Sequence, residues 1–271
     1  MNDELHHSEN LFNEENSLLD LAFAFASDEY PNLDVDGYKS EITMMGKGLQ
    51  LPLGKDLEMK VKAFMRYFTH DLGFQGNQKD YYNPANSFLN QVIDRRLGIP
   101  ISLSVLAITM GKEAGLRIFG VGLPGHFVNL ACEGRQKVYF DLFQGGRILE
   151  YSDCQQLAWG ATGTNFTLTD QHLEPVNNLQ IITRMLANLR IIYERSNDTN
   201  RLVKVLRRMA DLHPTEPSLM KELGISLCKS SRHSEALKWL QKYQSHVPEA
   251  MQDESFKSFL KLARQEESLR N

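Results

Sequence analysis

The segment from Gly98 to Phe143 places a helix that is apolar on nearly every side directly before three short β-rich runs. Pro100 supplies the fixed φ that favours the first position of a helix, the apolar run continues from 101 to 114, and Gly115 follows as a C-terminal cap. The β-rich runs cover 117–123, 126–132 and 137–143. A helix without a polar face has to be buried. The sequence therefore predicts a central helix packed on an antiparallel meander.

Apolar residues recur at helical spacing in the first third of the chain. We expect helices over 11–27, 39–49 and 55–72, a loop from Gly73 to Pro84, and a helix from Asn86 to Leu97. Helices that pack on a small antiparallel sheet form an α+β domain. The part of the chain up to residue 178 is therefore assigned to the α+β class.

From about residue 180 the strand pattern ends and a 34-residue repeat begins. Thr183 and Pro217 are equivalent first positions of two units, and the register between them holds without a gap. The period resembles that of the tetratricopeptide repeat, and so do Gly224, Ala236 and Pro248 in the second unit. Small residues at such positions let paired helices approach closely. We therefore expect an all-α helical array at the C-terminal end.

The change of pattern implies two domains. A chain of 271 residues exceeds the usual size of one domain, and its 42% hydrophobic and 24% charged residues are ordinary for a globular protein. We predict a first domain over 1–178, made of helices and the small sheet. A second, all-helical domain is predicted over 179–271, with a capping helix over 251–269.

Charge and composition exclude several classes of partner. The net charge is −4 and the pI is near 6.1, so neither nucleic acid nor an anionic membrane surface attracts the chain as a whole. The N-terminus lacks the pattern of a secretory signal, and no stretch of about 18 apolar residues is present. Three cysteines without a C-x-x-C pair suit a reducing compartment. We expect a cytoplasmic protein; its oligomeric state stays open.

Ser102, His126 and Asp141 follow one another in an order that is compatible with a catalytic triad. Ser102 lies one turn inside the central helix, where backbone N–H groups and the helix dipole stabilise an oxyanion. His126 opens one predicted strand and Asp141 closes the next, so antiparallel pairing can set them side by side. A nucleophile needs a base within hydrogen-bond reach and a third group that orients the base. These three residues are the candidate catalytic set.

Three sequence blocks resemble a known family. They are NSFLNQVIDRRLGIPISLS, GVGLPGHFVNL and FDLFQGG, and the helical repeats follow them. A helix that bears the nucleophile, a strand at Gly-His and a strand that ends in Asp resemble the transglutaminase-like core of the papain-like cysteine hydrolases. More narrowly, the blocks resemble the bacterial SirB family of transglutaminase-like proteins with C-terminal tetratricopeptide repeats. The resemblance implies that His126 is the general base and that Asp141 orients it.

The nucleophile position departs from the family pattern. Transglutaminase cores use Cys there, whereas this helix start contains none, and either Ser102 or Pro100 is the equivalent residue, depending on the helix register. Leu142 also stands where Pro often follows the Asp. A thiolate is far more nucleophilic than a hydroxyl, which needs strong assistance from a base. Ordinary transglutaminase or cysteine-protease activity is therefore not expected.

Each candidate residue also has a purely structural interpretation. A serine in an apolar helix commonly bonds to the preceding turn, a histidine after Pro-Gly can bond to backbone, and an aspartate at a strand end can cap a loop. No cofactor and no metal is implied. His6 and His7 lack a supporting shell of ligand-orienting groups, and no phosphate-loop pattern accompanies Gly145 and Gly146.

Two functions follow from these observations. The first is a catalytically impaired, regulatory transglutaminase-like protein that binds a protein or peptide partner through its repeat region. The second is a hydrolase or acyltransferase that acts on an amide or ester and uses Ser102, His126 and Asp141. The missing cysteine favours the first function. Whether the protein is an enzyme stays open at this point.

Overall fold

The computed structural model describes residues 17–162 and 166–269. These residues fall into two compact units, one that runs to Met185 and one that starts at Leu186. The helix expected over 11–27 begins at Leu18 in the structure, and its first part, like His6 and His7, lies outside the described residues. None of the helices in the described ranges has the length and apolar character that a membrane span requires.

The first unit combines helices with short strands, as the α+β assignment expects. The helices are α1 (Leu18–Glu29), α2 (Val35–Gly48), α3 (Leu57–Arg66), α4 (Leu89–Arg95), α5 (Pro100–Glu113) and α6 (Tyr151–Thr162). The strands are β1 (Gln75–Gly76), β2 (Leu97–Gly98), β3 (Ile118–Val121), β4 (Val128–Glu133), β5 (Gln136–Asp141) and β6 (Arg147–Leu149). Helix α3 continues into a π-helical turn over Tyr67–Asp71, so the helix expected over 55–72 is present with a widened last turn.

The main sheet has the order β3-β4-β5-β6, and every neighbouring pair in it is antiparallel. Asn129 lies opposite Phe140, and Leu130 lies opposite Tyr139. The expected meander of three strands is confirmed, and β6 extends it by one strand that the sequence analysis did not predict. Strands β1 and β2 form a separate parallel pair.

Helix α5 is buried along most of its length. Pro100 occupies its first position, as expected, and the side chains from Ile101 to Ala107 are all buried. The helix packs against α2, β3 and β4. Gly46 of α2 permits a close approach, because a Cβ at this position would lie 2.6 Å from the Cβ of Glu113. The chain leaves α5 at Gly115, whose φ of +76° favours glycine.

The two faces of the sheet pack against different partners. Leu130 and Tyr139 contact a hydrophobic cluster that also contains Cys154 of α6. On the other face, Asn129 accepts a hydrogen bond from the hydroxyl of Ser104 in α5 at 3.0 Å. Because side chains alternate along a strand, the sheet separates α5 from this cluster.

The helix expected from Asn86 to Leu97 is shorter in the structure. Asn86 ends a 3₁₀ turn, and α4 covers only Leu89–Arg95. The side-chain amide of Asn86 donates to the carbonyl oxygens of Asp80 and Tyr81 at 2.7 and 3.2 Å. These bonds tie the Asn86 side chain back to the preceding loop, as asparagine side chains commonly do outside helices.

The second unit is all-helical within its described residues. Helix α7 (Asn178–Arg195) contains the division between the units, and α8 (Thr199–Leu212), α9 (Pro217–Lys229), α10 (His233–His246) and α11 (Glu254–Ser268) follow. Helix α9 packs on α8, α10 and α11, and α10 packs on α11. The sequence analysis places the domain boundary between 178 and 179, where α7 begins, whereas the compact units divide within this helix.

Two small residues of the repeat pattern lie where helices approach closely. Ala236 of α10 is fully buried. A Cβ on Gly224 of α9 would lie 2.6 Å from Cδ2 of Leu240 in α10. The approach of α9 and α10 therefore depends on the absence of a side chain at Gly224. This packing agrees with the tetratricopeptide pattern, whose assignment to this chain stays a prediction.

The expected capping helix corresponds to α11. Asp253 caps its N-terminus by accepting a hydrogen bond from the N–H of Phe256 at 3.1 Å. Phe256, Leu260 and Ala263 are buried on one face of the helix. The ring of Phe256 lies 5.0 Å from that of Tyr243 in α10. Helix α11 thus covers apolar side chains at the end of the helical array.

Candidate functional site

His126 and Asp141 form a hydrogen-bonded pair at one end of the sheet. Nε2 of His126 lies 3.1 Å from Oδ2 of Asp141. Only 12% of the histidine side chain and 1% of the aspartate side chain are exposed. The second carboxylate oxygen, Oδ1, accepts a hydrogen bond from the backbone N–H of Phe143 at 2.8 Å. A buried carboxylate that is fixed in this way holds an imidazole in one orientation.

A tight turn presents His126 to the aspartate. Gly125 adopts a φ of +68°, and the N–H of His126 bonds to the carbonyl oxygen of Leu123 at 3.2 Å. Nη2 of Arg184 donates to the carbonyl oxygens of Leu123 and His126 at 2.9 and 2.6 Å. The prediction that His126 opens a strand is wrong, because β4 begins at Val128 and the turn uses the N–H that a strand would offer. The aspartate closes β5, as predicted.

The pair leaves the second ring nitrogen of His126 available. Nδ1 of this imidazole has no hydrogen-bond partner among the described residues. In a Ser–His–Asp arrangement the carboxylate holds one ring nitrogen and the nucleophile meets the other. A base with its orienting group is therefore assembled, and Nδ1 is the atom through which this base would act.

Ser102 is fully buried, and backbone groups engage its hydroxyl. Oγ donates to the carbonyl oxygen of Asn86 at 2.6 Å and lies 3.1 Å from the carbonyl oxygen of Ile99. Oγ also accepts a hydrogen bond from the N–H of Ile99 at 3.0 Å. Within the described ranges no hydrogen bond joins Ser102 to His126. The structure pairs His126 with Asp141 and places the Ser102 hydroxyl in a different set of bonds.

Asn86 joins the loop before α4 to the start of α5. Its Oδ1 accepts hydrogen bonds from Nδ2 of Asn77 at 3.0 Å and from Nη2 of Arg95 at 3.2 Å, while its backbone carbonyl receives the Ser102 hydroxyl. These partners come from the loop after β1, from α4 and from α5. The position of Ser102 is therefore part of the tertiary packing.

The alternative nucleophile position, Pro100, has neither a hydroxyl nor a thiol. It is the first residue of α5 and is buried. Gly98, two residues earlier, leaves room for the serine, because a Cβ there would lie 2.8 Å from Oγ of Ser102. The Gly-Ile-Pro sequence thus builds the start of the helix.

The cysteines do not supply a reactive sulfur in place of the missing one. Burial raises the pKa of Cys154, beneath the sheet, to about 11 and that of Cys228, in α9, to about 11. Burial also raises the pKa of Cys132 in β4. The thiolate is the nucleophilic form, and raised pKa values keep these thiols protonated near neutral pH. The described His, Cys, Asp and Glu side chains also form no group of three that could hold a metal ion.

Side chains that the sequence analysis did not select surround the pair. The ring of Phe143 lies 6.3 Å from that of His126, and the ring of Tyr81 lies 5.8 Å from that of Phe143. Tyr81 and Arg184 are remote in sequence, so no local pattern relates them to His126. Only Phe143, an aromatic residue just after a strand-ending aspartate, carries a local signal. We call Tyr81, His126, Asp141, Phe143 and Arg184 the His126 cluster.

A concave surface in the second unit is a further candidate for binding. This repeat groove has a volume of about 600 Å³, and helices α7, α8 and α9 line it. Its lining includes the charged residues Arg190, Glu194, Lys221 and Glu222 as well as the apolar residue Ile225. Both signs of charge and an apolar side chain are thus presented within one groove.

Glu222 has an unusual electrostatic environment in the repeat groove. Nε of Arg190 donates to Oε1 of Glu194 at 3.2 Å and lies 2.7 Å from Oε1 of Glu222, which is buried and receives no hydrogen bond. Burial raises the pKa of Glu222 to about 7, against the opposing charge of Arg190, and Glu194 raises it further. The carboxyl group is therefore partly protonated at neutral pH.

We expect the stability of the protein to decrease with pH through Glu222. The folded-state pKa of about 7 exceeds the ordinary value of 4.5, so the native state binds the proton more tightly than the unfolded state does. This contribution is fully present below the unfolded pKa and is lost as the pH rises through the folded value. Denaturant titrations at several pH values should show that Glu222→Gln removes this decline.

Glu216→Gln provides the contrast for that experiment. Hydrogen bonds from Ser218 lower the pKa of Glu216, so its contribution to stability is present above the unfolded pKa and is lost as the pH falls. This variant should therefore keep the decline towards neutral pH. If both variants retain the decline, the assignment to Glu222 is wrong.

We expect Ser102→Ala to destabilise the protein. The substitution leaves the carbonyl oxygen of Asn86 and the N–H of Ile99 without their buried partner, which should cost about 1–3 kcal/mol in the free energy of unfolding. Ser258→Ala is the control, because the Ser258 hydroxyl is exposed and bonds only within its own helix; it should change the free energy by less than about 0.5 kcal/mol. Equal stability of the two variants would contradict a structural role for the Ser102 hydroxyl.

Comparison with known proteins relates most of the first unit to one superfamily. The sequence pattern of the transglutaminase-like superfamily matches residues 36–187, a range that contains every member of the His126 cluster. A region of the human F-box only protein 21 is 32% identical over 167 residues, which are 58% of this chain and 26% of that protein. The shared region is thus one part of a longer protein in that relative.

Bacterial relatives match over most of their length. The UPF0162 protein of Xylella fastidiosa (strain Temecula1) is 31% identical over 236 residues, which are 85% of this chain and 84% of that protein. The UPF0162 protein of Vibrio cholerae is 28% identical over 221 residues, which are 80% of this chain and 82% of that protein. The chain therefore belongs to the transglutaminase-like superfamily and, within it, to the UPF0162 proteins.

Proposed function

We propose that this protein is a catalytically impaired transglutaminase-like protein of the SirB type, which acts in the cytoplasm as a regulatory binding protein. Its C-terminal helices act as tetratricopeptide repeats and bind a protein or peptide partner. The position of the Ser102 hydroxyl carries this proposal. It bonds to Asn86 and Ile99, while the His126–Asp141 pair has no described thiol or hydroxyl as its partner.

The chemistry of Ser102 argues against its use as a nucleophile. To attack a substrate, the hydroxyl would have to leave a 2.6 Å hydrogen bond to a carbonyl oxygen and become accessible from a fully buried position. A serine hydroxyl also needs a base within hydrogen-bond reach to become reactive. These requirements together favour a scaffold that has kept its base and has lost its nucleophile.

The repeat groove supports a binding role. It offers apolar contact at Ile225 and charges of both signs at Arg190, Lys221 and Glu222, which is the mixture that peptide-recognition surfaces use. Helical repeats commonly bind partners on their concave surface. The similarity to one part of the longer human F-box only protein 21 agrees with a domain that works in combination with other segments.

An activity-based probe tests the impaired core. We expect the purified protein to show no labelling by a serine-directed fluorophosphonate, because Ser102 is buried and its hydroxyl is engaged. The measurement compares the native protein with Ser102→Ala and His126→Ala by mass spectrometry. Labelling of the native protein that disappears in both variants would overturn the proposal.

That contrary result would favour the second candidate function, a serine-dependent hydrolase or acyltransferase that acts on an amide or ester. The observation in its favour is the assembled His126–Asp141 pair, with Nδ1 of His126 available as a base. In this mechanism Ser102 would turn away from Asn86, transfer its proton to His126 and attack the carbonyl carbon to form a tetrahedral oxyanion. Collapse of this intermediate would break the bond to the amine or alcohol, which would leave with the proton from His126. Labelling at a different residue would favour neither function.

Binding through the repeat groove can be tested with selected peptides. We expect peptides selected from a random displayed library against the full-length protein to lose at least about tenfold in affinity for Ile225→Glu, because the charge enters the apolar part of the groove. Leu262→Glu is the matched control, since Leu262 is an exposed leucine of α11 that does not line the groove. Peptides that bind both variants as they bind the native protein would contradict the groove as the binding surface.

A further inference from the structure

Arg184 brings a positive charge to the turn that carries His126. Its Nη2 bonds to two backbone carbonyl oxygens, and its guanidinium carbon lies 5.4 Å from the ring centre of Phe127. All of these partners are electrically neutral. In the part of the chain that the structure describes, no carboxylate pairs with Arg184. Its charge is therefore uncompensated.

Other arginines of the chain form ion pairs with glutamates, unlike Arg184. Arg190 and Arg207 each have a glutamate oxygen within 2.7 Å. Arg184 lies more deeply, and burial lowers its pKa, which shows that the site weakens the hydration of its charge. An unpaired charge in such a position is costly unless a partner of opposite sign joins it. The missing partner is an anion that none of the described residues supplies.

The surroundings of Arg184 indicate the shape of that anion. Burial raises the pKa of the Tyr81 phenol, and the positive charge of Arg184 opposes this rise. Tyr81 packs edge-on against Phe143, which in turn packs edge-on against His126. The rings of Tyr81 and His126 thus both pack against Phe143, and Arg184 bonds to the backbone of His126.

We propose that Arg184, Tyr81 and His126 form a binding site for a carboxylate attached to a flat apolar group. Nη1 and Nε of Arg184 have no hydrogen-bond partner among the described residues, and a guanidinium edge matches the two oxygens of a carboxylate. The ring of Phe143 provides the apolar contact. The Asp141 carboxylate beside His126 opposes a second negative charge, so a singly charged group fits better than a doubly charged phosphate.

This site differs from the repeat groove and does not depend on it. All of its residues belong to the unit that ends at Met185. The site also requires no nucleophile, because the ligand binds without forming a covalent bond. Loss of peptide binding in the groove variant would therefore leave this inference unchanged.

The probe for this site is benzoate, with benzamide as its neutral counterpart. The full-length protein, labelled with ¹⁵N in its histidines, is titrated with each compound while the ring resonances of His126 are followed by NMR. We expect benzoate to saturate with a dissociation constant on the order of 1 mM and benzamide to bind at least about tenfold more weakly. Equal binding of the two compounds would overturn the proposal.

Substitutions of arginine test whether the charge of Arg184 binds benzoate. Arg184→Gln should weaken benzoate binding at least about tenfold, because the ionic partner is lost. Arg117→Gln is the matched control: Arg117 also stacks on an aromatic ring, at 5.6 Å from Phe119, but lies outside the His126 cluster. This control should bind benzoate as the native protein does. Native-like binding by Arg184→Gln, or an equal loss in the control, would overturn the assignment.

Two milder variants decide the matter if Arg184→Gln does not fold. Tyr81→Phe keeps the ring and removes only the hydroxyl, and Arg184→Lys keeps the charge and removes the planar fork. Each should weaken benzoate binding several-fold; two variants that bind like the native protein would contradict the site. Inorganic phosphate is the last arm, and phosphate that binds more tightly than benzoate would overturn the carboxylate as the preferred ligand.

Discussion

The enclosure of α5 is the physical constraint on which the first unit depends. This helix has no polar face, so α2 on one side and β3 and β4 on the other have to cover it. Its first turn is enclosed as well, and a buried hydroxyl has to find a partner within the protein. Ser102 finds this partner in the backbone at Asn86. The packing around α5 therefore also fixes the hydroxyl of Ser102, the candidate nucleophile of the triad, in a hydrogen bond to the backbone.

The sequence predicts features that depend on neighbouring residues better than features that depend on distant ones. Pro100, the apolar run behind it and the turn residues at Gly125 predict the central helix and the meander, because each signal is local. The same patterns do not predict β6, which has only three residues, or α6, in which polar and apolar residues are mixed. No sequence pattern identifies Tyr81 and Arg184 as site residues, since only the tertiary fold brings them to the region of His126.

The charged groups of the chain differ in how they are compensated. Asp141 is nearly inaccessible, yet it has His126 and a backbone N–H as partners. Glu222 lies beside Arg190, yet burial raises its pKa against the opposing charge of this arginine. Arg184 has only neutral partners. Asp141 thus has its hydrogen-bond partners within the protein. A proton can neutralise the charge of Glu222, and an anionic ligand can neutralise that of Arg184.

Pro100 occupies the first position of α5, where the fold sets few demands on the side chain. Many residue types are accepted at the first position of a helix, because the N–H there has no partner within the helix in any case. The fold of α5 therefore does not require proline at this position, and a cysteine there would lie at the positive end of the helix dipole, where thiolates are favoured. The helix start itself would thus favour a thiolate, and the chemistry that is lacking here is that of a single side chain.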